Sequence, residues 1–267
     1  MLLFNGKSLA QELDSKIINY INDVKKVKTL AIIQVGDNES SNKYINLKVK
    51  LCEKVGVPVV FHHFDTAETD LEISKKVIDI FNDPSIGGGI IQLPLPRFSL
   101  NTLLDLIPAN KDIDLLSSTS QSQFYHQNFE RLSPVIRAAK FFIDKENLTI
   151  EKLKVFVVGE GNLVGKPVAF YLKTLGASVT TLLNYERGML LDCQLLVLSA
   201  GVPNLVTGSD IKANCHVIDF GSAVVDGKVV GDFDLNTPKD HLGALSASPG
   251  GMGPLVVRFL VMNHLGI

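Results

Sequence analysis

The sequence predicts an α/β protein: two α/β domains with a cleft between them, the second a Rossmann-like dinucleotide-binding domain. Three observations carry this prediction. Strand-like and helix-like segments alternate along both halves of the chain, the pattern of stacked βαβ units. Runs such as residues 29–35 and 154–158 are nearly continuously apolar, as strands buried on both faces of a parallel sheet must be. A glycine-rich turn, Gly159-Glu160-Gly161, stands between a strand-like run and a helix-like one. Two such domains in one chain place a ligand in the gap between them.

The elements follow in order. Residues 8–24 read as an amphipathic helix, with Leu9, Leu13, Ile17, Ile18 and Ile21 on one face and Ser8 as its cap. Residues 29–35 are a buried strand. Residues 41–55 are a helix closed by Gly56 at the position where glycine ends helices. Residues 57–64 form a strand, 71–82 a helix and 89–93 a strand ending at Pro94, with a short helix at 100–107. The polar stretch 115–130 marks the domain boundary. A helix at 135–144 leads into the second alternation: strand 154–158, helix 163–175, and strands at 178–183, 195–200 and 216–220. Residues 253–265 form the last helix. The domains are therefore drawn as 1–118 with 249–267, and 119–248.

Composition removes several function classes. At 267 residues, 46% apolar and 20% charged, with a net charge of −2, the chain has enough apolar surface to fold and no excess of basic residues. No nucleic-acid partner is expected. No apolar run reaches the roughly 18 residues of a spanning helix, so no membrane partner is expected either. The three cysteines, Cys52, Cys193 and Cys215, have no metal-ligand or disulfide spacing. They read as reduced thiols in a cytoplasmic protein without a metal site. Residues 1–9 lack the basic region and long apolar core of a signal peptide.

Several residues are candidates for chemistry. In the GxGxxxG turn, Gly159 permits a tight bend and Gly161 lets backbone approach a pyrophosphate. The following helix start, around Val164 and Gly165, offers N–H donors. The same turn also serves a βα unit that binds nothing. Glu186 lies where a ribose-binding acid is expected, or is an ordinary loop carboxylate. Tyr44 and Lys48, spaced i and i+4, share a helix face. They are either a surface pair or a stacking ring beside a proton-transfer lysine. Gln92, at a strand end, is structural glue or a ligand contact, and Pro94 permits a cis peptide bond. Asp112 and Asp114 form a polar turn or half of a cation site.

In order and spacing, these motifs resemble the tetrahydrofolate dehydrogenase/cyclohydrolase family. The match includes Ser41, Tyr44, Lys48 and Lys50 of an SxxYxxxKxK helix, Gln92-Leu93-Pro94-Leu95-Pro96, and Lys111-Asp112-Ile113-Asp114. It extends to Val164-Gly165-Lys166-Pro167 and Pro249-Gly250-Gly251-Met252-Gly253-Pro254. The resemblance implies a bifunctional enzyme. It oxidises 5,10-methylenetetrahydrofolate to the methenyl form with NAD(P), then hydrolyses that to 10-formyltetrahydrofolate. It implies Lys48 as general acid/base, Gln92 as its orienting partner and Tyr44 as the stacking ring. Asp114 would meet the pterin, with Pro249, Gly250 and Gly251 contacting substrate. The cofactor would be held by Gly159, Glu160, Gly161, Val164, Gly165, Asn184 and Ser222. A homodimer is implied as well.

The departures cluster on the cofactor side. The family's Gly-Arg-Ser turn is Gly159-Glu160-Gly161 here, and its His-Ser-Arg-Thr is Leu183-Asn184-Tyr185-Glu186. Glu160 repels a 2′-phosphate, and Tyr185 stands where a cation is usual. NAD, or weakened cofactor binding, is therefore expected in place of the family's usual NADP. Arg187, one position on, partly compensates. In the first domain Leu115 replaces a glycine next to Asp114, and Arg131-Leu132-Ser133-Pro134 replaces Pro-Cys-Thr-Pro. A cyclohydrolase without dehydrogenase activity, a non-catalytic folate-binding relative and a shikimate-dehydrogenase-like oxidoreductase are the other readings.

Overall fold

The computed structural model describes residues 2–24 and 26–267. In chain order the strands are β1 (Leu2–Leu3), β2 (Thr29–Val35), β3 (Val59–Phe64), β4 (Ile86–Ile91), β5 (Lys154–Val158) and β6 (Ser178–Leu182). They continue with β7 (Leu195–Leu198), β8 (His216–Asp219), β9 (Ala223–Val225), β10 (Lys228–Val230) and β11 (Ala244–Ser246). The α-helices are α1 (Gly6–Asp23), α2 (Glu39–Val55), α3 (Asp70–Asn82), α4 (Ser118–Tyr125), α5 (Pro134–Lys145), α6 (Gly165–Thr174) and α7 (Met252–Leu265). Shorter 3-10 segments cover Phe98–Leu106 and Gly208–Asp210. No helix among the described residues is long and apolar enough to cross a membrane.

The chain forms two compact units, Glu12–Pro134 with Val257–Ile267, and Met1–Gln11 with Val135–Val256. The first holds a three-stranded parallel sheet in the order β3-β2-β4. Every residue of β2 after Thr29 is buried, which is why all of them but Gln34 are apolar; the Gln34 amide donates to Asn42 Oδ1 at 2.7 Å. Ile33, Val35, Phe64, Val77, Phe81 and Leu103 belong to the core on this sheet. The glycines of β4 have a packing reason. A Cβ at Gly88 would lie 2.6 Å from the Ile113 side chain, and one at Gly89 2.7 Å from the Ala31 carbonyl oxygen and 2.9 Å from the Phe81 ring. Bare strand here lets residues 111–113 run alongside β4, where Gly89 donates to the Lys111 carbonyl at 3.0 Å.

Within this unit α1, α2 and α7 are tied by one buried carboxylate. Asp14 accepts from Arg258 Nε at 2.8 Å and from Lys54 Nζ at 2.8 Å, and its side chain is 5% exposed. Burial pushes this carboxyl up, but the hydrogen bonds from Arg258 and Lys54 outweigh it and hold the group below the ordinary value. Its stabilisation is therefore complete above the unfolded carboxyl pKa of about 3.9 and fades as pH falls through the lower folded value. Asp14→Ala removes the carboxylate that Arg258 and Lys54 share and is expected to cost about 2 kcal/mol, the scale of hydrogen bonds to charged groups, read as a lowered urea midpoint at neutral pH that converges on wild type in acid.

The second unit holds a six-stranded parallel sheet in the order β1-β11-β8-β7-β5-β6, with β9 and β10 as a separate antiparallel hairpin. Val158, Leu196, Leu198, Val217, Phe233 and Leu245 lie in its core.

The domain boundaries differ from the sequence expectation. Residues 1–11, expected with the first domain, belong to the second unit: β1 pairs in parallel with β11, and the Phe4 and Phe142 rings sit 4.7 Å apart. The boundary expected after residue 118 falls at Pro134. The 115–130 stretch is folded into the first unit, with Phe124 of α4 buried and the Ser118 N–H donating to Asp105 at 2.6 Å. The return expected at 249 falls at Val257, because Gly251 donates to the Ala247 carbonyl at 2.7 Å, next to β11. The first helix begins at Gly6, and the Asn5 side chain, not Ser8, caps it by accepting from the Ser8 N–H at 3.1 Å.

Candidate active site

In the order β3-β2-β4, the chain leaves β2 toward one neighbour and returns as β4 on the other side, so a switch point lies between β2 and β4. The segments leaving these two strands carry the candidate residues. After β2, Asn38 caps α2 by accepting from the Ser41 N–H at 3.0 Å. The Ser41 hydroxyl donates to the Leu93 carbonyl at 3.1 Å, pinning the start of α2 to the exit of β4. Lys48 projects from this helix. After β4, the Gln92 N–H continues the ladder to the Ile33 carbonyl at 2.8 Å, and the Leu93–Pro94 bond is cis.

The Gln92 amide is oriented at both ends. Its Nε2 donates to the Leu93 carbonyl at 2.7 Å, leaving Oε1 to accept from Lys48 Nζ at 2.8 Å. Burial pushes the Lys48 ammonium below its ordinary value, while the Asp114 carboxylate and, less, the Cys52 sulfur pull it back up. Asp114 is pushed up by burial, drawn down by Lys48 and pushed up by Asp112. The structure thus gathers Lys48, Gln92 and Asp114 in one electrostatic neighbourhood, with half-buried Tyr44 one helical turn before Lys48. Asp112 is no cation ligand in this arrangement. Its buried carboxylate accepts from the Ser117 N–H at 2.9 Å, the Ser117 hydroxyl at 2.7 Å and the Leu116 N–H at 3.2 Å. Pro249, Gly250 and Gly251 belong to the other unit, where the Ser248–Pro249 bond is cis and Gly250 has a φ of 106°.

In the second unit the strand order reverses between β5 and β7. The predicted cofactor residues all follow the carboxyl ends of parallel strands: Gly159, Glu160 and Gly161 after β5, Asn184 after β6, and Ser222 after β8. Gly159 has a φ of 97°, and a Cβ on Gly165 would lie 1.8 Å from its carbonyl oxygen, so the turn and the start of α6 require both glycines. A Cβ on Gly161 would meet nothing within 4 Å. The protein's own packing does not demand glycine there. The open space beside it, at the start of α6 near Val164, fits a phosphate group approaching the helix N-terminus. Half-buried Glu160 makes no ion pair among the described residues, and Asn184 is exposed. Arg187 is drawn elsewhere, 3.7 Å from the Asp210 carboxylate.

Two buried acids also shape this edge. The buried Asp232 accepts from the N–H groups of Ala200 at 2.6 Å and Gly201 at 3.1 Å, shaping the loop after β7. Beside it, Asp219 accepts from the N–H groups of Gly221 at 2.8 Å and Phe233 at 3.1 Å. Burial, opposed by the Phe233 N–H and reinforced by Asp232, leaves Asp219 pushed up to about 7. The signal available in sequence was an acid ending strand β8 and a second acid after Gly231, but nothing in spacing says that the two meet.

Comparison with known proteins is consistent across the chain. Residues 4–114 match the catalytic domain of tetrahydrofolate dehydrogenase/cyclohydrolase, and residues 135–267 match the NAD(P)-binding domain of the same family. The bifunctional protein FolD of Sulfurovum sp. is 32% identical over 276 residues, covering 99% of this chain and 98% of the relative. The bifunctional protein FolD of Mycoplasma mobile is 34% identical, covering 100% and 97%. The crystal structure of the FolD methylenetetrahydrofolate dehydrogenase/cyclohydrolase from Campylobacter jejuni superposes with a TM-score of 0.92 at 25% identity, covering 100% and 98%. With both domain families in order and relatives matched end to end, the chain belongs to the tetrahydrofolate dehydrogenase/cyclohydrolase family.

Proposed function

We propose that this protein oxidises 5,10-methylenetetrahydrofolate to 5,10-methenyltetrahydrofolate and hydrolyses that product to 10-formyltetrahydrofolate. The observation that carries the reading is the 2.8 Å contact between Lys48 Nζ and Gln92 Oε1, with the Asp114 carboxylate acting on the same ammonium.

The chemistry divides in two. In the oxidation the one-carbon unit loses hydride and becomes a delocalised cation, so no side chain removes a proton. The protein's task is alignment. Tyr44 stacks on the aminobenzoyl ring, and Asp114 accepts hydrogen bonds from the donor edge of the pterin. NAD(P), when bound, supplies the hydride acceptor. Gly159, Gly161, Val164 and Gly165 would hold its pyrophosphate, with Asn184 and Ser222 at the neighbouring strand ends. Glu160 would accept from a ribose hydroxyl, which selects NAD and opposes the 2′-phosphate of NADP.

In the hydrolysis, water adds to the methenyl carbon. Lys48 in its amine form takes a proton from that water, Gln92 Oε1 holding the nitrogen in place. As the carbon–N5 bond breaks, the carbinol hydroxyl releases its remaining proton to solvent and Lys48 returns the first proton to N5, leaving the formyl group on N10. Burial and the substrate's positive charge both favour the amine form that serves as the base. A second copy of this chain is the partner we assign on the family resemblance, checked by sedimentation. Purified protein given methylenetetrahydrofolate and NAD should reduce the nucleotide; hydrolysis without any reduction of NAD or NADP would leave a cyclohydrolase alone.

A further inference from the structure

The segment 109–117, which presents Asp114, is held from outside to an unusual degree. Arg131 donates from Nη1 to the Ala109 carbonyl at 2.6 Å and from Nη2 to the Asp112 carbonyl at 2.8 Å. Asn263 of α7 donates from Nδ2 to the Ile113 and Leu132 carbonyls, both at 2.9 Å. From inside, the Asp112 carboxylate takes the N–H groups of Leu116 and Ser117. Three successive kinds of constraint therefore flank one residue in a costly conformation. Leu115, next to Asp114, has a φ of 59° and is buried. The left-handed region costs a side chain such as leucine about 1 kcal/mol or more, so without its anchors the segment would relax away from it.

We propose that Arg131 is a positioning residue for substrate binding: by forking onto the Ala109 and Asp112 carbonyls, with Asn263 as a second anchor, it holds Leu115 left-handed and Asp114 facing Lys48. Arg131 touches neither Lys48 nor Gln92 in this arrangement, so it acts through Asp114. The ionisable groups around Asp114 are Lys48 from α2, with Cys52 one turn further on the same helix, and Asp112 from its own segment. A displaced Asp114 weakens the pterin contact and removes the carboxylate that pulls the Lys48 ammonium up. The lysine then titrates at lower pH.

The inference rests on the folate reading above, and the test separates the two. In Arg131→Met, KM for methenyltetrahydrofolate is expected to rise about tenfold, the scale of one lost charged hydrogen bond, with kcat within about threefold. The pH midpoint of hydrolysis should move to lower pH. Arg131→Lys keeps the charge but not the fork, and should fall between Met and wild type. A purely structural role would lower stability and leave the KM and pH midpoint of the folded enzyme alone. Wild-type KM and midpoint in Arg131→Met would overturn the proposal. Should that variant not fold, Asn263→Ala and Arg131→Lys are read in the same way, with the same overturning result. If the wild-type protein hydrolyses no methenyltetrahydrofolate, the folate reading fails on its own. The anchoring is then read by amide hydrogen exchange at Leu116 and Ser117: faster exchange in the Arg131 variant supports it, and unchanged exchange overturns it.

Discussion

Lys48→Met is expected to lose hydrolysis of methenyltetrahydrofolate by about a thousandfold, within the range that positioned general acid–base groups supply. Oxidation of methylenetetrahydrofolate should fall much less. The difference follows from proton bookkeeping. Hydride departure leaves a cation and releases no proton, whereas water addition must shed one proton and ring opening must gain one. Only the second reaction needs the amine of Lys48. Methionine keeps the length and apolar stem of the side chain, so α2 and its packing should survive. Equal losses in both activities would mean that Lys48 only positions substrate. Gln92→Ala should lower hydrolysis by a smaller factor, since the 2.8 Å contact orients the amine without exchanging protons.

The protein should use NAD in preference to NADP, and Glu160→Arg should reverse that preference by about a hundredfold or more. A carboxylate and a phosphate roughly 4 Å apart repel by about 4 kcal/mol near a protein surface, and arginine in the same place attracts by a similar amount. Glu160 has no cation of its own among the described residues to mask that repulsion, and Arg187 is turned toward Asp210. Steady-state kcat/KM with each nucleotide measures the effect. A wild-type preference for NADP would contradict the role assigned to Glu160.

Much of the fold was legible because its signals are local. The apolar run of β2, the glycine ending α2 at a φ of 85°, and the placement of Gly159 between strand and helix each follow from short-range physics. Features that depend on distant partners were not. Helix α4 is written in serine and glutamine, with little to mark a buried face, and its buried residues are only Ser120 and Phe124. Strands β1 and β11 are two and three residues long and exist through pairing across more than two hundred residues of chain. The grouping of the N-terminal segment with the second compact unit follows from the same long-range pairing of β1 with β11.

The candidate site shows the same division. Tyr44 and Lys48 share a helix face by simple spacing, but nothing local states that Gln92, 44 residues beyond Lys48, accepts its hydrogen bond. The family resemblance supplied that pairing, and the geometry gives its physical reason in the switch point between β2 and β4. Asp112 and Asp114 look alike in sequence. The structure separates them: one accepts from the N–H groups of its own turn, while the other is buried within electrostatic reach of Lys48.

The most direct measurement is the decay of methenyl absorbance on adding purified wild-type protein, with no nicotinamide present, at neutral pH. Decay many times faster than in buffer, returning to the buffer rate in Lys48→Met, is the expected result. A wild-type decay no faster than buffer would contradict the assignment of Lys48, Gln92 and Asp114 to folate chemistry.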